Sequence, residues 1–417
     1  MAQLADDCFA FGGRLMTIEE VLALIHERLP VVAGVETVPL ALADGRVAAE
    51  DILARNDVPG FANSAVDGYA VRYADLAADG ETLLPVTARI AARISGDAAP
   101  AIEGAARIFT GAPMPPGADT VFMQEDVRLE GSHVALPQGL TPGANMRPAG
   151  EDIAAGAIAI SAGRRLRPQD VALAAATGHA DLPVRKRLRV ALFSTGDELV
   201  APGEPLPPGG VYDSNRVMLG ALLRRLGAEV SDLGVLRDDP GALAERIAGA
   251  ARDHDLILTS GGVSTGEEDH VKAAVEAVGQ LVFWRLGIKP GRPLAMGAVG
   301  GAAFVGLPGN PVAVYVTLLF VVRPLMARLG GALHEPLPPR MVRAAFPYRK
   351  KSGRREFVRV SLAQGPDGVT EAHKFPRDGA GVLTSLTESD GLAELADDLT
   401  RVAEGDMIPF HPHGLLW

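Results

Sequence analysis

The chain has 417 residues, 47% hydrophobic and 22% charged, which is too long for one core and suits a soluble globular protein of roughly two to four domains. A net charge of −11 argues against a nucleic-acid binder, which presents a basic face. A single cysteine, Cys8, rules out an intrachain disulfide and fits a reducing cytoplasm, while 48 glycines and 31 prolines favour many turns and several joined modules.

The N-terminus carries Asp6 and Asp7 and no basic stretch before an apolar core, so no signal peptide is expected. Thr17-Ile18-Glu19-Glu20 is a capping box. Ile18, Val21, Leu22, Ile25 and Leu29 then share one helical face, and Pro30 ends the helix. From about Leu83 to Leu140, short β-like runs split by glycine and proline predict a small all-β module. A short helix is expected from Asp170 to Ala176, with Pro168 near its start.

Strands and helices then alternate. Strands are expected at 188–193, 229–235, 256–259, 281–288, 294–296 and 303–306. Helices are expected from the Asp213-Ser214 cap to about Leu226, from Asp239-Pro240, over 269–278, and from Asn310-Pro311 to about Leu329. The alternation implies a mostly parallel sheet covered by helices, with ligands bound beyond the carboxyl ends of its strands. The longest apolar run, Val312 to Val322, is shorter than the roughly 20 residues that cross a bilayer and reads as a buried helix. Pro336-Leu337-Pro338-Pro339 is a linker, and the remainder to Trp417 reads as a small β-domain.

Two glycine-rich turns that end in acid stand out in the α/β region. They are Ser194-Thr195-Gly196-Asp197-Glu198 and the turn from Ser260 through Gly261, Gly262 and Ser264 to Asp269. A strand, a Gly/Ser/Thr turn and a helix start make an anion cradle of outward N–H groups. Carboxylates beside such a cradle repel a phosphate unless a divalent cation lies between them. The pattern therefore points to a phosphorylated substrate, a hard metal and positioned acid/base groups.

Seven motifs, in order and including both glycine turns, carry a resemblance. Asn63-Ser64-Ala65-Val66-Asp67-Gly68-Tyr69-Ala70 is similar to the signature of the MoeA family, the molybdopterin molybdenumtransferases, which includes the gephyrin E-domain. Thr110-Gly111-Ala112-Pro113, Gly150-Glu151-Asp152-Ile153, both glycine turns, Lys289-Pro290-Gly291-Arg292-Pro293 and Leu307-Pro308-Gly309-Asn310-Pro311 also match. The resemblance implies a reaction in which adenylylated molybdopterin and molybdate, a substrate, give molybdenum cofactor with release of AMP. It implies a Mg2+ requirement and a homodimer with shared active sites. It also implies contacts with molybdopterin adenylyltransferase and apo-molybdoenzymes, with neither nucleic acid nor membrane as partner. The implied fold is multidomain α/β plus β. An extended connecting domain takes 1–55 and 151–185, a small β-domain 56–150, a MogA-like α/β domain with a parallel-rich sheet 186–332, and a C-terminal β-barrel 333–417.

The resemblance assigns Asp67, Thr110, Asp152, Glu198, Asp238 and Asp269 to catalysis, with Glu198 and Asp269 on the metal. Each has a plainer reading. A bare Asp-Gly is usually a turn, Thr110 can bond its own turn, Asp152 can cap one, and acids at helix starts are favoured by the macrodipole. Asp239 fits as the cap before Pro240, which leaves Asp238 the freer of that pair. Ser194, Gly196, Gly261, Gly262, Ser264, Lys289, Arg292, Pro308, Pro311, Arg355 and Ser385 are assigned to substrate binding. Lysine and arginine are usually solvated, but the rigid Pro290-Gly291 spacing makes Lys289 and Arg292 an oxyanion clamp. Arg285 stands where the family carries lysine, which keeps the charge and changes its geometry. The basic run Arg349 to Arg355 reads as a β-hairpin turn facing an anionic substrate. His411-Pro412-His413 lacks the further ligands a metal needs. Two rival functions are an adenylyltransferase of the preceding step and a non-enzymatic scaffold. The extra N-terminal arm and C-terminal domain argue against the first, and the full set of acids against the second.

Overall fold

The computed structural model describes residues 15–91, 101–237, 239–262, 270–333 and 335–416. Thr17 caps the first helix, Ile18–Arg28, through the expected capping box. The short strand Leu15–Met16 before it pairs in parallel with Arg285–Leu286, and Val21 and Ile25 are buried with Leu325 and Leu329. Residues 15–29, expected with the connecting domain, thus pair and pack with the α/β sheet.

The connecting segments form short ladders. Val35–Pro39 pairs antiparallel with Asp181–Arg185, and Ile52–Leu53 with Ile158–Ile160. Val38, Ile52, Ile160, Leu166, Ala174 and Leu182 make a small core beneath the helix Pro168–Ala176, which has proline in its first turn. Between these ladders lies a six-stranded sheet of Gly68–Val71, Thr82–Ile90, Ala105–Ile108, Thr120–Met123, Arg128–Glu130 and His133–Leu136.

The α/β domain is a seven-stranded sheet ordered 15–16, 279–286, 293–299, 302–307, 256–260, 189–195, 229–236. The four strands at its 229–236 side are parallel, whereas Pro293–Val299 runs antiparallel to both neighbours. Period-two alternation sorts its side chains to two faces. Val190, Leu192, Leu256, Leu258 and Val305 pack under the helices Ile18–Arg28, Ser214–Arg225 and Pro311–Leu329. Ala191, Phe193, Ile257 and Phe304 pack under Pro240–Asp253 and His270–Val278.

The Pro311–Leu329 helix has 19 residues, more than its apolar run alone gave, and is apolar enough by length and composition to cross a membrane. It is instead the central core helix, with 78% of that window buried. It passes Pro324, which cannot donate to Phe320, through a π-helical turn at Leu318–Val322.

In the C-terminal region the strands Arg340–Ala344, Arg355–Gln364, Thr370–Lys374, Gly391–Leu395 and Met407–Pro412 close into a five-stranded barrel through the 355–364 to 391–395 pairing. Ile288–Lys289 adds in parallel to Arg355–Glu356, which fastens the barrel to the loop that carries Lys289.

Candidate active site

The two glycine turns stand side by side at the carboxyl ends of neighbouring parallel strands, where Ser194 is opposite Ser260. Gly196, Gly261 and Gly262 all have positive φ. A Cβ on Gly262 would lie 2.3 Å from Thr195 Oγ1, and one on Gly196 would lie 2.7 Å from a Glu198 carboxylate oxygen. Only glycine permits this approach of two turns, and it leaves the Glu198 carboxylate folded over the first. Asn215, at the start of its helix, donates to Ser260 Oγ at 2.9 Å and to the Gly309 carbonyl at 2.7 Å. It thereby ties the second glycine turn to the Pro308–Pro311 loop. Sequence reading passed over Asn215; its place just after the Asp213 cap was the available sign.

The buried hydroxyls of Ser194 and Thr195 and the Asn215 side-chain carbonyl have no hydrogen-bond partner among the described residues. Orphaned polar atoms at the end of a parallel sheet mark where a polar ligand is received. Glu198 and these hydroxyls are hard oxygen donors, so the donor chemistry fits magnesium. Among the described residues no set of three or more His, Cys, Asp or Glu side chains converges on a metal position. Asp269, the expected second metal ligand, lies outside the described residues, as do Asp238 and Ser264.

A groove of about 270 Å³ opens beside these strand ends, with Lys289, Gly291, Arg292, Pro308, Asn310 and Arg354 among the residues around it. Gly291 has φ +112°, and a Cβ there would lie 2.7 Å from Thr317 Oγ1 of the core helix. Proline and this pinned glycine together fix the path of the Lys289–Arg292 loop. Pro311 begins the core helix whose N-cap residue is Asn310.

Glu356 lies beneath the groove, 1% exposed. Its Oε2 accepts from Lys289 Nζ at 3.0 Å and from the Tyr348 hydroxyl at 2.9 Å, and its Oε1 stands 3.3 Å from Arg354 Nε. Burial, then the hydrogen bond and charge of Glu356, push the Tyr348 hydroxyl pKa well up, so it remains a donor. A buried carboxylate needs such partners. It anchors two cations at the groove, and with exposed Arg292 the groove remains positive.

Arg354, not Arg355, lines the groove. Arg355 is paired instead with Glu19, Glu394 and Asp397, bracing the barrel against the first helix. Ser385 is fully buried, donates to the Val382 carbonyl and accepts from Arg359 Nε at 3.0 Å. Arg359 also donates to the carbonyls of Arg377 and Gly379, so Ser385 helps hold the loop whose Ala380 borders the groove. His411 bonds Glu394, whereas His413 bonds Tyr315 and Ser389; the two rings are directed to different partners.

Asp67 and Thr110 meet on the six-stranded sheet, where Gly68 pairs with Ile108. The Thr110 N–H and hydroxyl both donate to Asp67 Oδ1 at 2.7 Å. These bonds, aided by the charge of Arg107, hold the Asp67 carboxyl below its ordinary pKa. Asp152 is exposed on the neighbouring turn, where its N–H donates to the Val58 carbonyl.

Three family descriptions match the chain in order: the MoeA N-terminal region (domain I and II) at residues 16–178, a probable molybdopterin binding domain at 191–328, and the MoeA C-terminal region (domain IV) at 341–413. A protein of Haemophilus influenzae named molybdopterin molybdenumtransferase is 37% identical over 95% of this chain and 98% of its own length. One of the same name from Nostoc is 36% identical over 89% and 87%. The crystal structure of the molybdopterin biosynthesis moeA protein from Pyrococcus horikoshii OT3 superposes with a TM-score of 0.80, is 29% identical, and spans 96% of this chain and 100% of that one. The matched relatives and the multidomain fold together mark a transferase of molybdenum cofactor biosynthesis. The chain belongs to the MoeA family.

Proposed function

We propose that the chain inserts molybdenum from molybdate into adenylylated molybdopterin, releasing AMP, in a magnesium-dependent reaction. One observation carries this reading: a groove of about 270 Å³ bears Lys289, Arg292 and Arg354, and Asn215 ties its Pro308–Asn310 edge to the second of two adjacent glycine turns. The curated relatives named molybdopterin molybdenumtransferase support it.

The glycine turns, with Ser194, Gly196, Gly261, Gly262 and Ser264, cradle the pterin phosphates by backbone N–H groups. Lys289, Arg292 and Arg354 hold molybdate against the dithiolene, an orientation effect as well as a charge effect. As the two sulfurs bond to molybdenum, displaced oxygens leave as water and need protons. Asp67, oriented by Thr110, and Asp152 and Asp238 handle those protons. Glu198 and Asp269 would hold magnesium, which would supply positive charge against the phosphoanhydride; water cleaves that anhydride, and AMP leaves.

Asp67 precedes a strand of the six-stranded sheet, whereas Glu198 follows a strand of the seven-stranded sheet. A homodimer in which the six-stranded sheet of one subunit completes the α/β site of the other resolves this separation. Cytoplasmic location and contacts with the preceding adenylyltransferase and with apo-molybdoenzymes belong to the same reading. The experiment is molybdenum insertion by purified protein with AMP release followed in parallel. Adenylate formed from ATP and molybdopterin, without insertion, would favour the preceding step.

A further inference from the structure

A second cationic cavity lies away from the active site, where the connecting segments, the α/β domain and the chain leading to the barrel meet. It encloses about 90 Å³ and is bordered by Arg165, Arg185, Arg187, Arg323 and Glu335. That space holds several waters or one tetrahedral oxyanion, not a nucleotide. The Nη1 atoms of Arg165 and Arg187 both lie 3.7 Å from the Cβ position of Gly227, so the two guanidiniums crowd one spot. Their protein acceptors are carbonyls: Arg165 donates to Gly45, Arg187 to Gly227 and Arg323 to Glu335. Arg185 donates weakly to Ala33 and Ala49 at 3.4 Å, and its buried Nε has no partner among the described residues.

Arg46 and Lys186 also border the cavity, and with Arg46 paired to Glu36, four further guanidiniums and one ammonium share one exposed carboxylate, Glu335. Burial lowers the pKa of Arg165 and Arg323; the Glu335 charge opposes the fall, and the smaller effect of a neighbouring guanidinium adds to it. Carbonyl dipoles satisfy hydrogen bonds but do not cancel this charge, and crowding partly buried like charges is unfavourable. Guanidinium forks match tetrahedral oxyanions in shape.

We propose that this cavity binds one inorganic tetrahedral dianion of the phosphate, sulfate or molybdate kind, which ties the connecting segments to the α/β domain. The site is separate from the Lys289–Arg354 groove and does not depend on the reading of that groove.

The test is thermal unfolding and calorimetric titration of the full chain with phosphate, sulfate and molybdate, against chloride at equal ionic strength. Binding to the native state raises the melting temperature progressively with anion concentration. Arg323→Gln, and Arg187→Gln at an exposed position that leaves the fold intact, should weaken this binding about tenfold or more. Arg354→Gln, which alters only the groove, should leave it in place. The anion with the largest effect identifies the natural occupant. No protection beyond chloride, or protection abolished by Arg354→Gln and untouched by Arg187→Gln, would overturn the proposal.

Discussion

Lys289, Arg354 and Glu356 show how one buried carboxylate organises a binding surface. Lys289→Ala removes a cation from the groove and should raise the molybdate concentration for half-maximal rate about tenfold or more, with smaller change in pterin binding. Glu356→Gln is more discriminating. It makes the groove more positive, which favours oxyanion binding, but it releases Lys289 and Arg354 from their anchor. If placement governs the reaction, kcat falls while the KM for molybdate changes little; a lower KM at unchanged kcat would show that charge alone counts. Asp67 yields a pH prediction. Its pKa is depressed in the folded chain, so its favourable interaction is present above the ordinary aspartate pKa and is lost as pH falls through the depressed value. Thr110→Val removes the hydroxyl donor and should move both the Asp67 titration seen by NMR and the acidic limb of the rate profile to higher pH. An unmoved limb would mean that another group sets it.

Among the elements, local chemistry was readable where it acts within a few residues. The Thr17 capping box, the Asp213 and Asp239 caps and the buried 256–260 strand are where composition and period place them. Thr17→Ala should cost about 1 kcal/mol in a denaturant melt. Gly262→Ala should cost on the order of 2–4 kcal/mol, through its positive φ and the crowding of Thr195 and Val271. What was not readable depends on register and long-range pairing. Whether Arg354 or Arg355 faces the groove is decided by the Ile288–Arg355 and Lys289–Glu356 pairing, and a one-residue slip would exchange them. The same limit hid the attachment of Leu15–Met16 to the α/β sheet, since nothing within two residues reveals a partner 270 positions away. Ser385 shows its hydroxyl chemistry in the sequence but not its burial under Arg359.

For the whole molecule, the central claim is that a groove on the α/β domain becomes an insertion site when an aspartate from a second subunit reaches it. Sedimentation should show a dimer at micromolar concentration. Subunits carrying Asp67→Asn and Glu198→Gln, each inactive alone, should regain activity when mixed, since a mixed dimer keeps one intact site. Demonstrably mixed dimers without recovery would remove the shared site and leave the chemistry to be explained within one subunit. The most direct measurement is single-turnover insertion: purified protein, adenylylated molybdopterin, molybdate and magnesium, with bound molybdenum and free AMP followed together. The account predicts that both rise in parallel, stop when magnesium is chelated, and depend on molybdate through Lys289. AMP released at the same rate without molybdate, or molybdenum inserted with the adenylate intact, would contradict it.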